Sequence, residues 1–109
     1  MEYVVVANIS DLKADTMIKV KHAQCEILLA FVGGAYYALE NRCPHMGGSL
    51  ADGRLEGTAV TCPRHGSSYD IRTGKVLCDP RLLFIKMRVS DAVSLPVRLD
   101  GEDIMVGIG

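Results

Sequence analysis

Residues 43–48 read CPHMGG, and a related phrase, CPRHG, returns at residues 62–66. Cys43 is followed by His45, and after sixteen intervening residues Cys62 is followed by His65. Two soft thiolates and two imidazoles form a ligand set suited to a transition metal. Because chance rarely produces two matched clusters of this kind, the sequence predicts a metal centre held by two loops.

Two metal chemistries fit four such ligands. Structural zinc accepts two cysteines and two histidines, but its familiar pattern places both cysteines in one knuckle and both histidines in the other. Here each loop supplies one cysteine and one histidine. A two-iron cluster suits such mixed loops, and a zinc-binding interaction module remains the alternative.

The hydrophobic pattern predicts an all-β protein. Alternating or continuous apolar runs are typical of strands, and they occur at residues 3–8, 17–23, 25–32, 35–40, 58–62, 68–71, 95–99 and 103–108. Residues 41–80 differ, because Gly, Pro, Cys and His cluster there and the runs are short. We therefore expect a single domain, 1–109, with a β scaffold that carries an inserted metal-binding segment at about 41–80.

Three shorter signals complete the expected architecture. Gly33 and Gly34 predict a hairpin turn. Residues 10–13, SDLK, predict one helical turn with Ser10 as its N-cap. Residues 80–92 fit either a helix or a strand, and their apolar side chains favour a core position over a docking face.

Composition excludes several classes of function. The 109 residues carry a formal net charge of -1 and no tryptophan, so neither a basic patch nor a base-stacking surface predicts a nucleic-acid partner. No run is long enough for a membrane span, and the start is unlike a signal peptide. We therefore expect a cytoplasmic, monomeric protein whose cysteines are reduced.

The stretch CPHMGGSLADGRLEGTAVTCPRHGSSYDIRTGK resembles Rieske [2Fe–2S] proteins. It follows the two-loop pattern of that family, including the Gly-Gly pair, the His-Gly and the Tyr-Asp. The resemblance implies an antiparallel β-sandwich scaffold with an inserted Gly/Pro-rich cluster-binding subdomain. It also implies that Cys43 and Cys62 hold one iron and that His45 and His65 hold the other. With two neutral ligands the oxidised core carries no net charge, which raises the potential to roughly -150 to +300 mV.

The resemblance assigns further residues to the cluster environment. Ser67 and Tyr69 occupy positions where high-potential members place hydroxyls that bond to a bridging sulfide and to a cysteine sulfur. Gly48 and Arg64 stand where quinol-oxidising members have a pair of disulfide-forming cysteines, so this brace is absent, as in soluble ferredoxins of the family.

Other residues near the loops have two interpretations each. Gly47, Gly48 and Gly66 let the backbone approach the sulfides or serve ordinary turns. Asp79 and Pro80 belong to a third loop over the cluster or merely end a strand. Outside the loops, Cys25 is expected to pack as a small hydrophobic residue, and Cys78 has a weaker claim to a redox role.

The predicted function is that of a one-electron carrier, a Rieske-type ferredoxin. It would pass electrons between a reductase and an oxygenase or similar acceptor. It is not expected to be an enzyme, because it lacks a dinucleotide-binding fingerprint and a mononuclear iron site. The competing class is a small regulatory or electron-transfer subunit of a larger redox complex.

Overall fold

A computed structural model describes residues 2–42, 48–63, 66–78, 81–82, 85–86 and 91–108. In these ranges the regular elements are strands and two 3₁₀ turns, Ile9–Asp11 and Leu50–Asp52. The strands are β1 (Glu2–Asn8), β2 (Thr16–His22), β3 (Cys25–Val32), β4 (Ala35–Glu40), β5 (Arg54–Glu56), β6 (Ala59–Thr61), β7 (Ser68–Asp70), β8 (Val76–Cys78), β9 (Arg81–Leu82), β10 (Ile85–Lys86), β11 (Ser94–Leu95), β12 (Val97–Asp100) and β13 (Asp103–Ile108). No helix in the described ranges combines the length and apolar character that a membrane span requires.

The strands form layered antiparallel sheets. The outer sheet has the order β1-β13-β12, the central sheet β11-β4-β3-β2 and the loop sheet β5-β6-β7-β8. A short ladder joins β9 to β10. All of these pairs are antiparallel, and the all-β prediction is confirmed.

Strand β3 is apolar along most of its length because both of its faces are buried. Ile27 and Leu29 pack in one core with Ile104 and Val106 of the outer sheet. The alternate residues belong to a second core, which they share with the loop sheet; they are Leu28, Ala30 and Val32. Successive side chains of a strand point to opposite faces, so β3 separates the two layers. The loop sheet therefore packs against one face of the central sheet.

The hairpin between β3 and β4 has the predicted turn. Val32 pairs with Ala35 across Gly33 and Gly34, whose φ values are 61° and 80°. Two consecutive positive φ values are the geometry of a type I′ turn, which matches the twist of the flanking strands. The Gly-Gly prediction is confirmed.

The helical turn near the N-terminus has a different cap from the one expected. Asn8 is the N-cap of Ile9–Asp11 and accepts a hydrogen bond from the Ser10 backbone N–H at 3.0 Å. Asp11 accepts in return from the Asn8 N–H at 2.9 Å. Ser10 lies inside the turn, so the prediction of Ser10 as N-cap is wrong. An asparagine amide oxygen caps as well as a serine hydroxyl, and here it precedes the serine by two residues.

Residues 95–99 do not form one strand. β11 ends at Leu95 and pairs with β4 in the central sheet, whereas β12 begins at Val97 and pairs with β13 in the outer sheet. Pro96 lies between them and has no N–H for a ladder, although its carbonyl accepts from the Gly107 N–H at 2.9 Å. The chain changes sheets at this proline.

The ambiguous segment 80–92 contains strand where its backbone is described. Ile85 pairs with Leu82, and Lys86 pairs with Arg81. Residues 80, 83–84 and 87–90 lie outside the described ranges, and so do the side chains of residues 81–90. The core position expected for this segment stays a prediction. The division of chain 1–109 at residues 41 and 80 likewise stays a prediction.

Candidate metal centre

Cys62 follows directly after β6 and is 1% exposed. Its backbone N–H donates to the Ser67 carbonyl at 2.7 Å, and its carbonyl accepts from the Gly66 N–H at 3.2 Å. These two bonds close a short turn that carries the second predicted loop. The thiol side chain belongs to the core between the central sheet and the loop sheet. The fold therefore packs this predicted ligand against the central sheet.

The turn needs glycine at position 66. Gly66 has a φ of +73°, a region that other residues enter at a cost. A Cβ built at this position would have no described protein atom within 4 Å. Backbone conformation therefore suffices to explain the glycine, and its predicted approach to a sulfide stays a prediction.

The hydroxyls of Ser67 and Tyr69 lie in the same buried region as Cys62. Both residues are 0% exposed, and the Tyr69 hydroxyl donates to Ser67 Oγ at 3.3 Å. The Tyr69 ring packs in the core that contains Cys62. Tyr69 is thus a core aromatic residue and also a source of a buried hydroxyl. In such surroundings a hydrogen bond is electrostatically stronger than in water.

Three of the four predicted ligands lie outside the described residues: Cys43, His45 and His65. Residues 44, 47, 64, 79 and 80, which the sequence also places around the metal, lie outside them as well. Within the described ranges, no three His, Cys, Asp or Glu side chains gather into a metal site. Arg42 and Gly48 mark the two described ends of the first predicted loop.

The sequence profile of the "Rieske [2Fe-2S] domain" family matches residues 2–87. The chain belongs to the Rieske [2Fe–2S] family. The match covers both predicted loops and most of the β scaffold. The predicted cofactor, a Rieske-type [2Fe–2S] cluster, is therefore confirmed at the level of the family.

Two relatives and one solved structure are similar along most of the Rieske chain. The 3-phenylpropionate/cinnamic acid dioxygenase ferredoxin subunit of Shigella boydii serotype 4 (strain Sb227) is 37% identical over 83 residues, 75% of this chain and 72% of the relative. The ferredoxin component of the naphthalene 1,2-dioxygenase/salicylate 5-hydroxylase systems of Ralstonia sp is 34% identical over 100 residues, 92% and 89% of the two chains.

The structure described as a complex of reduced oxygenase and oxidized ferredoxin in carbazole 1,9a-dioxygenase contains a chain that matches with a TM-score of 0.83 at 25% identity, over 95% of this chain and 91% of that one. These similarities confirm the predicted Rieske-type ferredoxin, an electron-transfer protein that is not itself an enzyme.

The described residues of this Rieske protein fit a sulfur-ligated cluster. A thiol that is almost fully buried is costly to ionise unless charge or hydrogen-bond donors compensate it. Iron coordination would supply the charge, and the buried hydroxyls of Ser67 and Tyr69 are donors of the kind that tunes such a centre. The donor set at Cys62 is therefore suited to the cofactor of the family.

Asn41 closes the base of the first Rieske loop, a role that the sequence reading missed. Its Nδ2 donates to Glu26 Oε1 at 2.7 Å and to Ser49 Oγ at 2.8 Å. Its Oδ1 accepts from the Ala51 N–H at 2.7 Å. The only signal in the sequence is an asparagine between a strand and a ligand-bearing loop, where short polar side chains often bond to nearby backbone.

Asp70 and Arg72 brace the turn after β7, and this pair was also missed. The Asp70 carboxylate accepts from Arg72 Nε at 3.0 Å, from Nη2 at 2.9 Å and from the Arg72 backbone N–H at 2.9 Å. The side-chain hydrogen bond to Arg72 holds the pKa of Asp70 below its ordinary value, against the opposing effect of burial. The turn signal at residues 72–75 predicted the bend but not this fork-like pair.

Gly74 and Val76, at the β8 edge of the loop sheet, form hydrogen bonds with residues 91 and 92. The Val76 N–H donates to Asp91 Oδ1 at 2.9 Å, and the Ala92 N–H donates to the Gly74 carbonyl at 2.7 Å. Gly74 has a φ of +79°, and a Cβ there would lie 2.1 Å from the Ala92 carbonyl oxygen. This close approach admits only glycine.

Cys25 does not pack as the sequence suggested. It opens β3 as expected, but its side chain is exposed, so the prediction of a small buried hydrophobic residue is wrong. It sits at the tight β2–β3 turn, where it pairs with His22 at the end of the ladder. The side chain of Cys78 is outside what the structure describes.

Proposed function

We propose that this chain is the ferredoxin component of a multicomponent oxygenase. It takes one electron from a reductase and delivers it to a terminal oxygenase. The observation that carries the proposal is the buried Cys62 thiol, which shares one core with Tyr69. The Tyr69 hydroxyl bonds to the buried Ser67 hydroxyl, and the Ser67 carbonyl accepts from the Cys62 N–H. The relatives support it, because they are named as a dioxygenase ferredoxin subunit and as the ferredoxin component of dioxygenase/hydroxylase systems.

The ligand set belongs to the proposal. Cys43 and Cys62 hold one iron, and His45 and His65 hold the other. When bound, the cluster takes up and releases one electron. Neutral imidazoles leave less negative charge around it than four thiolates would, so the added electron meets less repulsion.

The residues near Cys62 set the affinity for that electron. In the cluster-bearing protein the Tyr69 hydroxyl would turn its one proton from Ser67 to a cysteine sulfur, and the Ser67 hydroxyl would donate to a sulfide. Both bonds would stabilise negative charge on sulfur and therefore favour the reduced form. Burial of these hydroxyls excludes water and strengthens the bonds. The part of the chain that we assign to the cluster is thus shaped to tune a potential.

The setting of the carrier is also part of the proposal. A ferredoxin that serves an oxygenase system works in the cytoplasm, as a single chain that moves between two partners. The balanced charge of the chain provides no net electrostatic attraction to nucleic acid, and we propose no such partner.

The first experiment identifies the metal. The protein should be purified without added zinc. Its visible absorption, iron content and sulfide content are then measured. Ferric–sulfide charge-transfer bands together with two irons per chain, as the proposed cluster contains, support the proposal. A colourless protein with one zinc per chain would instead establish a zinc-binding module.

The second experiment tests the carrier role. The reductase and terminal oxygenase of a relative's dioxygenase system are mixed with this protein, and product formation is followed as its concentration is raised. Turnover should depend on the protein, and the Cys62→Ala variant should not replace it. A cluster that accepts no electron from any such reductase, in a protein that purifies only with other subunits, would favour a subunit of a larger complex.

A further inference from the structure

We propose that Asn41 is a positioning residue that locks the first Rieske loop to the scaffold through the carboxylate of Glu26. The inference rests on the proposed binding of the cluster by this loop. It goes beyond the ligand set, since Asn41 is not one of the four proposed ligands. Its role is to hold both ends of the ligand-bearing segment in one place.

The position of Asn41 in the chain makes this role possible. It lies two residues before the ligand-bearing loop, and two of its bonding partners, Ser49 and Ala51, lie after that loop. One side chain therefore closes a chemical ring around residues 42–48. The two described ends of the loop are therefore fixed next to each other by hydrogen bonds from one side chain.

The third partner anchors that ring to the rigid part of the fold. Glu26 belongs to β3, and its carbonyl also accepts from the Asn41 backbone N–H at 2.9 Å. Its carboxylate receives Asn41 Nδ2 at 2.7 Å. A hydrogen bond to an ionised acceptor is stronger than one between neutral groups. The loop base is thus bonded twice to the strand that separates the two cores.

The burial of Asn41 raises the cost of losing these bonds. The residue is 6% exposed, and each described polar atom of its side chain has a partner at hydrogen-bond distance. A buried polar group without partners is strongly destabilising. Glu26, Asn41 and Ser49 also line a cavity of about 740 Å³, through which water would reach the loop base once the bonds are gone.

The outer part of the same network is exposed and contributes less. Lys19 Nζ lies 3.2 Å from Asp52 Oδ1 and 3.9 Å from Glu26 Oε1. The Asp52 side chain is 61% exposed, and solvent screens ion pairs of this kind. Asp52→Asn is therefore a matched control, since it removes a carboxylate from the network without touching Asn41.

The test reverses the polarity of the bond between the two residues. Asn41→Asp keeps the shape and the acceptor for Ala51, but it sets a carboxylate against that of Glu26 at a distance where both cannot be ionised without repulsion. The double variant Asn41→Asp/Glu26→Gln restores a donor facing an acceptor, with the donor now on β3. The double variant has the same net charge as the wild type, because Asn41→Asp adds one negative charge and Glu26→Gln removes one.

Two readouts follow the loop directly. The first is the rate at which a chelator withdraws iron at neutral pH and at a temperature well below unfolding. The second is the set of electron paramagnetic resonance g-values of the reduced cluster. We expect Asn41→Asp to lose iron at least tenfold faster than the wild type and to broaden or shift the g-values. A tenfold change in rate corresponds to about 1.4 kcal/mol. The double variant and Asp52→Asn should stay within about twofold of the wild-type rate.

Each outcome decides the matter. Equal iron loss in Asn41→Asp and wild type would overturn the inference, and so would a double variant no better than the single one. Should Asn41→Asp not fold at all, recovery of a folded, cluster-bearing protein in the double variant supports the inference, and failure there overturns it. Absence of a cluster from the wild type would overturn the proposed function itself, and this inference with it, whereas a normal wild type beside an unaffected Asn41→Asp variant overturns the inference alone.

Discussion

The scaffold and the loop sheet are both antiparallel β-structure, yet they are held together in different ways. In the central sheet β2 and β3 pair over seven residues and β3 and β4 over six. In the loop sheet β5, β6 and β7 pair over three residues, and β8 over two. A long ladder is stabilised by many hydrogen bonds between strands and by its buried faces. A three-residue ladder is too short to be stable without other contacts.

The loop sheet is stabilised by individual contacts that the scaffold does not need. Gly74 lies close to the carbonyl of Ala92, and Asp70 forms an ion pair with Arg72. The Asp91 carboxylate accepts a hydrogen bond from the Val76 N–H. The loop sheet also shares its core with the central sheet. A region that must present ligands in irregular loops thus replaces repetitive pairing with specific contacts, so single substitutions there should have larger consequences than in the scaffold.

The largest contrast, in cluster content, should come from Cys62 and Cys25. Cys62→Ala is expected to abolish the visible absorption and the bound iron, because it removes one of the four proposed ligands. Cys25→Ala is the matched control, since Cys25 is exposed on the scaffold. Its iron content should equal that of the wild type. Iron retained in full by Cys62→Ala would refute the ligand assignment.

Two glycines with nearly the same backbone conformation should separate strain from crowding. Gly34 and Gly74 have φ values of +80° and +79°, but a Cβ meets nothing within 4 Å at Gly34 and lies 2.1 Å from the Ala92 oxygen at Gly74. Gly34→Ala should cost about 1–2 kcal/mol of unfolding free energy from its left-handed conformation. Gly74→Ala should cost about 1–3 kcal/mol more, because the backbone must move.

Urea unfolding followed by far-ultraviolet circular dichroism gives both values. If the two alanine variants were equally stable, the close approach at Gly74 would not be a determinant of the loop sheet.

Tyr69 allows a finer test, at the level of the potential. Tyr69→Phe keeps the buried ring and removes the hydroxyl. If the lost hydrogen bond differs by about 1 kcal/mol between oxidation states, the midpoint falls by about 40 mV. Ser67→Ala should act in the same direction. Protein-film voltammetry measures the shift.

Tyr36 provides the scaffold counterpart of Tyr69. It stacks on Phe31 with ring centroids 4.3 Å apart and, partly buried, packs against the core on the other face of the central sheet. Tyr36→Phe should leave the midpoint unchanged. A midpoint that stays constant in Tyr69→Phe would reduce Tyr69 to a packing role and leave the cluster assignment intact.

The smallest expected effect is the pH dependence of the Asp70–Arg72 pair. The folded pKa of Asp70 is lowered, chiefly by its side-chain hydrogen bond with Arg72. The stabilisation is therefore fully present above the ordinary aspartate pKa of about 3.9 and is lost as the pH falls through the lower folded value. Solvent screens the pair, because the Arg72 side chain is 52% exposed.

The urea midpoint of the wild type should exceed that of Asp70→Asn at pH 7, and the gap should narrow as the pH falls below the ordinary aspartate pKa of about 3.9. A gap that widens with acidification would contradict the assigned direction of the pKa shift. Glu56→Gln is a suitable comparison, since Glu56 pairs with Arg54 while both side chains are mostly exposed, and it should change little at any pH.

Much of the architecture was predictable because it depends on residues close together in the chain. Cys and His at fixed spacing predicted the metal centre and its family, and the strands around Gly33 and Gly34 followed from local alternation and turn chemistry. Two of the errors arose where the local pattern fitted more than one structure. Asn8 rather than Ser10 caps the first turn, and Pro96 divides a run that reads as one strand.

The remaining features needed the tertiary structure, because they join residues that are distant along the chain. Nothing in the sequence shows that Asn41 bonds to Glu26, fifteen positions away, or that Gly74 meets the carbonyl of Ala92. The sequence alone determined which chemistry the chain can perform, since ligand identity and spacing are local properties. Folding decided which polar groups brace the loops that perform it, because such contacts depend on how strands pair and layers stack in three dimensions.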